Sequence, residues 1–97
     1  MLFSTLISKG QIRSIKFVNS ETVTLVTQDT KGNKVESYSM FPINFFVVYK
    51  RVNANLMKFD IKKLSINDKV TVREFEEVAK NNQDPKSLLG YFEIIVE

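Results

Sequence analysis

The chain of 97 residues contains no cysteine, no histidine and no tryptophan. Without cysteine there can be no disulfide and no thiolate metal site, and without histidine the commonest metal ligand and the usual general base are absent. Carboxylates, lysines and tyrosines remain for acid–base chemistry, and no phosphate-binding loop or metal-ligand spacing occurs. We therefore expect a protein that is not an enzyme and that uses no metal, cofactor or small-molecule substrate.

Long apolar runs are also missing, because no stretch reaches the roughly 18 residues of a membrane-spanning helix. The start of the chain, residues 1–4, has neither the basic residues nor the apolar stretch of a secretion signal. We expect no membrane association and a cytoplasmic location.

Composition and charge indicate a single domain over residues 1–97. Hydrophobic residues make up 43% of the chain, enough for one core but not for a deep active site with a cofactor domain. The 14 lysines and arginines exceed the 11 acidic residues and give a net charge of +3. This mild excess favours polyanionic partners without requiring them.

Three strands are predicted in the first half of the chain. In residues 2–18 the apolar alternation loses phase around Gly10, which predicts a long strand bent at a bulge and able to serve two sheets. Residues 22–27 are mostly β-branched, and residues 29–34 have the composition of a hairpin tip. Residues 35–41 then alternate until Pro42, with Tyr38 and Met40 on one face and Phe41 on the other.

The second half predicts a closing hairpin after an ambiguous segment. Residues 43–64 fit a short helix or an irregular connection, although the apolar run at 46–49 has equal strand propensity. Residues 70–78 and 88–96 read as two antiparallel strands joined by a polar loop at 79–87. The order predicts an all-β fold, a small five-stranded Greek-key barrel of the OB type, with an SH3-like barrel or a small sandwich as alternatives.

Several segments resemble the single-stranded DNA-binding proteins of the bacterial and phage type. They are the early strand with an internal glycine (residues 7–12), the strand and charged hairpin tip at 23–34, residues 61–72 (Ile-Lys-Lys-Leu-Ser-Ile-Asn-Asp-Lys-Val-Thr-Val) and residues 90–97. The segment 61–72 is similar to that family's entry into its fourth strand, although Asn67 stands where the family usually has glycine. The resemblance implies an OB fold and binding of single-stranded DNA in phage or plasmid replication or recombination.

Non-specific binding of a single strand needs positive charge for phosphates and aromatic faces on which bases stack. If Val70 and Val72 face the core, Arg73 and Phe75 share the opposite face, and Tyr91 lies outside if Phe92 points inward. The candidate nucleic-acid-binding residues are Arg13, Lys16, Lys31, Lys34, Tyr38, Arg73, Phe75, Lys80, Lys86 and Tyr91.

Each candidate has a purely structural alternative. A strand aromatic is more often core than ligand, which applies most to Phe17, Phe41 and Phe92 and about equally either way to Tyr38 and Phe75. A lysine in a turn is usually just solvated. The acidic residues at 74, 76 and 77 reduce the local positive field, so that Arg73 could serve only as a cross-strand ion-pair partner.

The sequence thus leads to one hypothesis and one rival. The hypothesis is a non-enzymatic OB-type module, forming a homodimer or larger oligomer, that binds single-stranded DNA with little sequence preference; RNA is an alternative ligand. The rival is a small β-barrel adaptor or inhibitor acting through protein–protein contacts, with residues 45–49 as a sticky apolar surface.

Overall fold

A computed structural model of the chain describes residues 2–77 and 89–97. It contains seven strands: β1 (Leu2–Phe17), β2 (Thr22–Asp29), β3 (Val35–Pro42), β4 (Phe46–Val52), β5 (Asn55–Lys58), β6 (Lys69–Glu77) and β7 (Leu89–Val96). Two 3₁₀ turns, Ile43–Phe45 and Ile61–Lys63, flank the β4–β5 hairpin. Within the described ranges, no helix is long and apolar enough to cross a membrane.

All seven strands belong to one sheet, in the order β3-β2-β1-β6-β7-β4-β5. Neighbours are antiparallel except β4 and β7, which run parallel. The all-β expectation is therefore confirmed, as are the bent first strand and the two strands of the closing hairpin, whose predicted bounds differ by one residue at each end or less.

Strand β1 connects the two halves of the sheet because it pairs with β6 through residues 2–11 and with β2 through residues 10–17. Gly10 belongs to both ladders, opposite Asp29 on one side and Val70 on the other. A Cβ atom at Gly10 would overlap the carbonyl oxygen of Gln28 and lie 2.6 Å from Cα of Asp29. The absence of a side chain is what lets β2 approach β1 so closely here.

Bulges on either side of Gly10 change which residues of β1 point inward. One register shift lies between Leu6 and Ser8 in the β6 ladder, and the other between Ile12 and Ser14 in the β2 ladder. Ile12 is buried before the second bulge, whereas Ile15 and Phe17 pack against the core after it. The loss of apolar phase seen in the sequence is therefore a bulge at Arg13.

The core lies on one face of this sheet. It is formed by alternate residues of six strands, among them Val23 and Leu25 of β2, Val70 and Val72 of β6, and Ile94 of β7. Ile61 and Leu64, at the second 3₁₀ turn, join the same cluster. The predicted core positions Phe17, Phe41 and Phe92 pack against it, which confirms their structural interpretation.

The sheet is strongly curled around this core. In a flat sheet β3 and β4, five strand intervals apart, would be separated by about 24 Å. The ring centroids of Tyr38 in β3 and Phe46 in β4 are nevertheless 5.8 Å apart, and those of Tyr38 and Phe92 in β7 are 5.0 Å apart. Aromatic side chains therefore bridge the two ends of the sheet.

The expected five-stranded closed barrel is corrected to seven strands in an open sheet, since no backbone ladder joins β3 to β4 among the described residues. Pro42 lacks an N–H group, and the chain then turns through Ile43–Phe45 before β4 begins. β3 and β4 consequently do not form one continuous strand. β4 instead pairs in parallel with β7.

The preference for a helix or irregular connection over residues 43–64 was wrong in its central part, which forms the β4–β5 hairpin. Its two-residue turn contains Asn53 with a φ of 58°. Asparagine adopts this conformation more readily than most residues, but the turn carries no glycine and gives a weak hairpin signal in the sequence.

The close approach at Gly10 predicts a large effect of Gly10→Ala. The added methyl group would meet backbone atoms of β2, so β1 and β2 must separate, and we expect the free energy of unfolding to fall by about 2–4 kcal/mol. Urea denaturation followed by circular dichroism measures the loss.

Gly90→Ala is the matched control, because its Cβ would lie 3.5 Å from the nearest atom, the carbonyl oxygen of Phe75, in ordinary contact. We expect its stability to change by less than about 1 kcal/mol. Equal effects of the two substitutions would contradict the role assigned to Gly10.

Candidate nucleic-acid interface

A pair of stacked rings lies on the outer face of the β6–β7 ladder. Phe75 and Tyr91 are directly opposite each other in register, with ring centroids 5.1 Å apart and ring planes within 8° of parallel. Both are half-buried, and neither belongs to the core cluster, because Val70 and Val72 point to the other side. The predicted common outer face of Phe75 and Tyr91 is confirmed.

Arg73 lies two residues before Phe75 on the same outer face, opposite Glu93 of β7. The two ion pairs formed within the described part of the chain are Lys34–Glu36 and Arg51–Glu97, so neither involves Arg73. The guanidinium group of Arg73 thus lies on the same face as the ring pair, and Glu93 is its cross-strand neighbour. The sequence predicted this arrangement of cation and aromatic ring.

The outer face continues onto the β4–β5 hairpin, which the sequence analysis did not assign to the site. Tyr49 is paired with Ile95 of β7 on one side and with Lys58 of β5 on the other. Along β7, Ile95 is four residues from Tyr91, which places Tyr49 about 13 Å from the stacked pair. We call the surface formed by Tyr49, Lys58, Arg73, Phe75 and Tyr91 the aromatic face. The unbroken apolar run at 46–49 shows no alternation in the sequence that would have marked Tyr49.

Arg51, also on the hairpin, is held by a carboxylate at the rim of the aromatic face. Its Nε donates to Oε2 of Glu97 at 2.8 Å and its Nη2 donates to Oε1 at 3.4 Å. Thr71 Oγ1 donates to the same carboxylate at 3.1 Å. The hydrogen bond from Arg51 is the main reason why the pKa of Glu97 lies below its usual value. Arg51 is therefore already largely neutralised.

Lys31 and Lys34 lie at the tip of the β2–β3 hairpin, as predicted, and the tip folds against β1 next to Lys9. Lys34 forms an ion pair with Glu36 at 3.2 Å. Lys9 is paired with Thr71 of β6, so it lies between the hairpin tip and the aromatic face. Sequence analysis did not select Lys9; its position beside Gly10, where β1 extends past β2, identifies it.

Arg13 and Lys16 lie on a different outer surface, formed by the second half of β1 with β2. Arg13 occupies the bulge and donates from Nη1 to Oε1 of Gln28 at 3.0 Å, and Lys16 is opposite Thr24. Their ladder neighbours on this surface are Ser14, Thr24 and Val26. The structure therefore does not bring these two cations together with the ring pair.

Tyr38 is not on an outer face, and its predicted exposure was wrong. The residue is 5% exposed and its ring contacts Phe41, Phe46 and Phe92. The cause is a bulge in β3, where two residues of β3 face one of β2, and Met40 has a φ of 54°. The extra residue puts both Tyr38 and Phe41 on the inner face, whereas strict alternation had separated them.

Lys80 and Lys86, the remaining candidates, lie outside the described residues. Within residues 2–77 and 89–97, no group of three or more acidic side chains is arranged to hold a metal ion.

Comparisons with family models, with curated proteins and with solved structures found no match to this chain.

Burial of Tyr38 predicts opposite effects for two substitutions. Its hydroxyl is enclosed and has no hydrogen-bond partner among the described residues, so Tyr38→Phe should leave stability unchanged or raise it by about 1 kcal/mol. Tyr38→Ala should lower stability by about 3–5 kcal/mol, as for other large aromatic side chains removed from a core. Urea denaturation of both variants measures these changes. A Tyr38→Ala variant with an almost unchanged free energy of unfolding would contradict the burial of the ring.

A pH dependence also follows from Tyr38. Burial, with the charges of Glu36 and Glu74 as smaller causes, raises the pKa of its phenol to about 12 from a usual value of 10.0. The folded state keeps a proton that the unfolded chain releases, so stability should fall as the pH rises from about 10 towards 12. Thermal unfolding between pH 9 and 12 should show a shallower fall for Tyr38→Phe; identical profiles would contradict the assignment.

Proposed function

We propose that this protein binds single-stranded DNA with little sequence preference through the aromatic face. The observation that carries the proposal is the stacked pair of Phe75 and Tyr91 outside the core with Arg73 beside it. Aromatic rings on a sheet surface offer stacking positions to any base, because every base has a π face. This is why such a surface favours binding without sequence preference.

Positive charge on the same side of the sheet supports the proposal. Arg73 and Lys58 lie on the aromatic face, and Lys9 is paired with Thr71 at its border. A duplex hides its base faces in the stack, whereas a single strand can present both bases and phosphates to one surface. Phosphate contacts from these cations predict binding that weakens as salt is added, because each contact releases counterions from the strand.

We further propose that the fold is of the OB type, with β3 and β4 together taking the place of one interrupted strand. The parallel pairing of β4 with β7 and the aromatic contacts from Tyr38 to Phe46 and Phe92 support this proposal. If β3 and β4 are counted as one interrupted strand, the order β3-β2-β1-β6-β7-β4 begins and ends on the same strand, as the strand order of a closed barrel does. OB folds commonly present a sheet face to oligonucleotides.

The biological setting is part of the same proposal and rests on the sequence resemblance. We place the protein in the cytoplasm of a host cell, acting as a homodimer or larger oligomer in phage or plasmid DNA replication or recombination. RNA is the alternative ligand, because stacking and phosphate contacts alone do not distinguish the two sugars.

Titration of a labelled oligothymidylate, followed by fluorescence anisotropy at rising salt, tests the function. We expect binding at low salt, with the logarithm of the association constant falling linearly with the logarithm of salt concentration. An oligouridylate and a duplex of the same length provide the comparisons. Absence of oligothymidylate binding at low salt would refute the proposal.

Phe75→Ala and Tyr91→Ala should each weaken oligothymidylate binding by about 1–3 kcal/mol, the range for removal of one stacking ring. The melting temperature should change little, since neither ring belongs to the core. Phe45→Ala is the matched control because Phe45 is an exposed ring at the first 3₁₀ turn that contacts the ring of Phe41 and, among the described residues, not the stacked pair. If Phe75→Ala and Tyr91→Ala bind oligothymidylate as tightly as the Phe45→Ala control, bases do not stack on this pair.

The alternative function, a protein–protein adaptor, is favoured by a different surface from the one expected. Phe46 and Val48 of the suspected apolar segment are buried, but the edge hairpin exposes Val52, Leu56 and Met57. Among the described strands β5 pairs only with β4, so within residues 2–77 and 89–97 its other backbone edge is available for strand addition. A stable protein complex that is lost in Leu56→Lys but insensitive to salt would support this function over DNA binding.

A further inference from the structure

A cleft separates the β2–β3 hairpin tip from the first half of β1. The β1–β2 ladder stops at the pair of Gly10 and Asp29, while β1 continues alongside β6. The tip remains attached to β1 just beyond this pair, where the amide of Thr30 donates to the carbonyl oxygen of Lys9 at 3.1 Å. The cleft has a volume of about 370 Å³, at the small end of the ~300–1,000 Å³ typical of ligand sites.

Most of the charged residues that line this cleft are cationic. Lys9, Lys31 and Lys34 contribute three ammonium groups, against Asp29 as the one acidic residue among the described residues of the wall. Oδ1 of Asp29 accepts from the amide of Asn33 at 2.8 Å, which commits this oxygen to the turn. Lys34 is paired with Glu36, but Lys31 forms no ion pair within the described ranges.

The hairpin tip is held in a defined conformation, so its lysines do not depend on a loose loop. Gly32 has a φ of 74°, a value that favours glycine, and its carbonyl oxygen accepts from Nε2 of Gln28 at 3.2 Å. The amide of Gly32 donates to Asp29 and the amide of Asp29 donates to Lys34, at 3.0 and 2.9 Å. A fixed turn lowers the ordering cost of binding.

A second cleft lies next to this one and shares Lys9 and Thr30 with it. Among the described residues, each cleft is lined by three cationic residues and one acidic residue, and in the second cleft the acidic residue, Glu97, is ion-paired with Arg51. The first cleft differs in that two of its three lysines lie on the hydrogen-bonded hairpin tip. Thr71, opposite Lys9, is four residues before Phe75, which puts the rings about 13 Å along β6 from this cleft.

We propose that the cleft formed by β1 and the β2–β3 hairpin tip binds a phosphate group, with Lys9 and Lys31 as its principal contacts and Lys34 as the third. Lysine ammonium groups are compact point charges that bind phosphate, whereas a flat carboxylate is held more specifically by the planar guanidinium group of arginine. This inference deepens the proposed function and rests on it, since the phosphate is that of the bound strand. The phosphate is either an internal phosphodiester or a terminal phosphomonoester.

The test uses the Lys9→Gln/Lys31→Gln double variant, with Lys62→Gln/Lys63→Gln as a control in which two exposed lysines of the second 3₁₀ turn are changed. Both variants lose the same charge. Oligothymidylates with a 5′-phosphate, a 3′-phosphate or neither are titrated at several salt concentrations. We expect the cleft variant to lose roughly tenfold in affinity and its salt slope to fall by about 0.7 per lost contact.

The pattern of loss identifies the source of the phosphate. Equal loss for all three oligonucleotides supports an internal phosphodiester, and loss confined to one phosphorylated oligonucleotide supports a terminal group. If the wild type binds oligothymidylate and the cleft variant matches the control in affinity and slope, the phosphate site is refuted while the proposed function stands.

A titration with inorganic phosphate tests the cleft independently of oligonucleotide binding. If the wild type binds no oligonucleotide, the proposed function fails, and the cleft is then judged from a phosphate titration followed by amide chemical shifts. Shifts at Thr30 and Lys31 that vanish in the cleft variant but persist in the control support the site. Absence of such shifts overturns it.

Discussion

The contact between the backbones of β1 and β2 at Gly10 is the constraint on which the rest of the fold depends. Because no Cβ stands between them, one strand can leave the β2 ladder and enter the β6 ladder within two residues. The bulges on either side turn the side chains of β1 so that both halves contribute to one core. Without this crossing, β2 and β3 on one side and β6, β7, β4 and β5 on the other would have no common strand.

The curled sheet is stabilised by aromatic contacts where its ladder is interrupted. Tyr38 and Phe41 of β3 approach Phe46 and Phe92 with centroid separations of 5.0–6.1 Å. These contacts hold β3 next to β4 and β7, where no backbone ladder joins β3 to either strand among the described residues. They also have a cost, since the enclosed hydroxyl of Tyr38 has no hydrogen-bond partner among the described residues. Packing of rings here outweighs complete satisfaction of polar groups.

Local patterns in the sequence predicted five of the seven described strands, because alternation and β-branched content report directly on which residues a pleated sheet buries. They missed β4 and β5. The loss of phase at Gly10 and the outer face of Arg73, Phe75 and Tyr91 followed from the same rule. The rule failed where a strand contains an unmarked extra residue, as at Met40, since nothing in the local composition announces that bulge. It also could not foresee that Tyr49 would join the aromatic face, because the parallel partner of β4 is more than 40 residues away.

The parallel pairing of β4 with β7 has a consequence for the order of assembly. Residues 46–50 find their partners only in residues 92–96, and β7 must occupy the place between β6 and β4. A ribosome that has made the chain only as far as β6 has therefore made a hairpin whose neighbour does not yet exist. The β1–β2–β3 meander can form early from local contacts, but the second half of the sheet gains its central strand late.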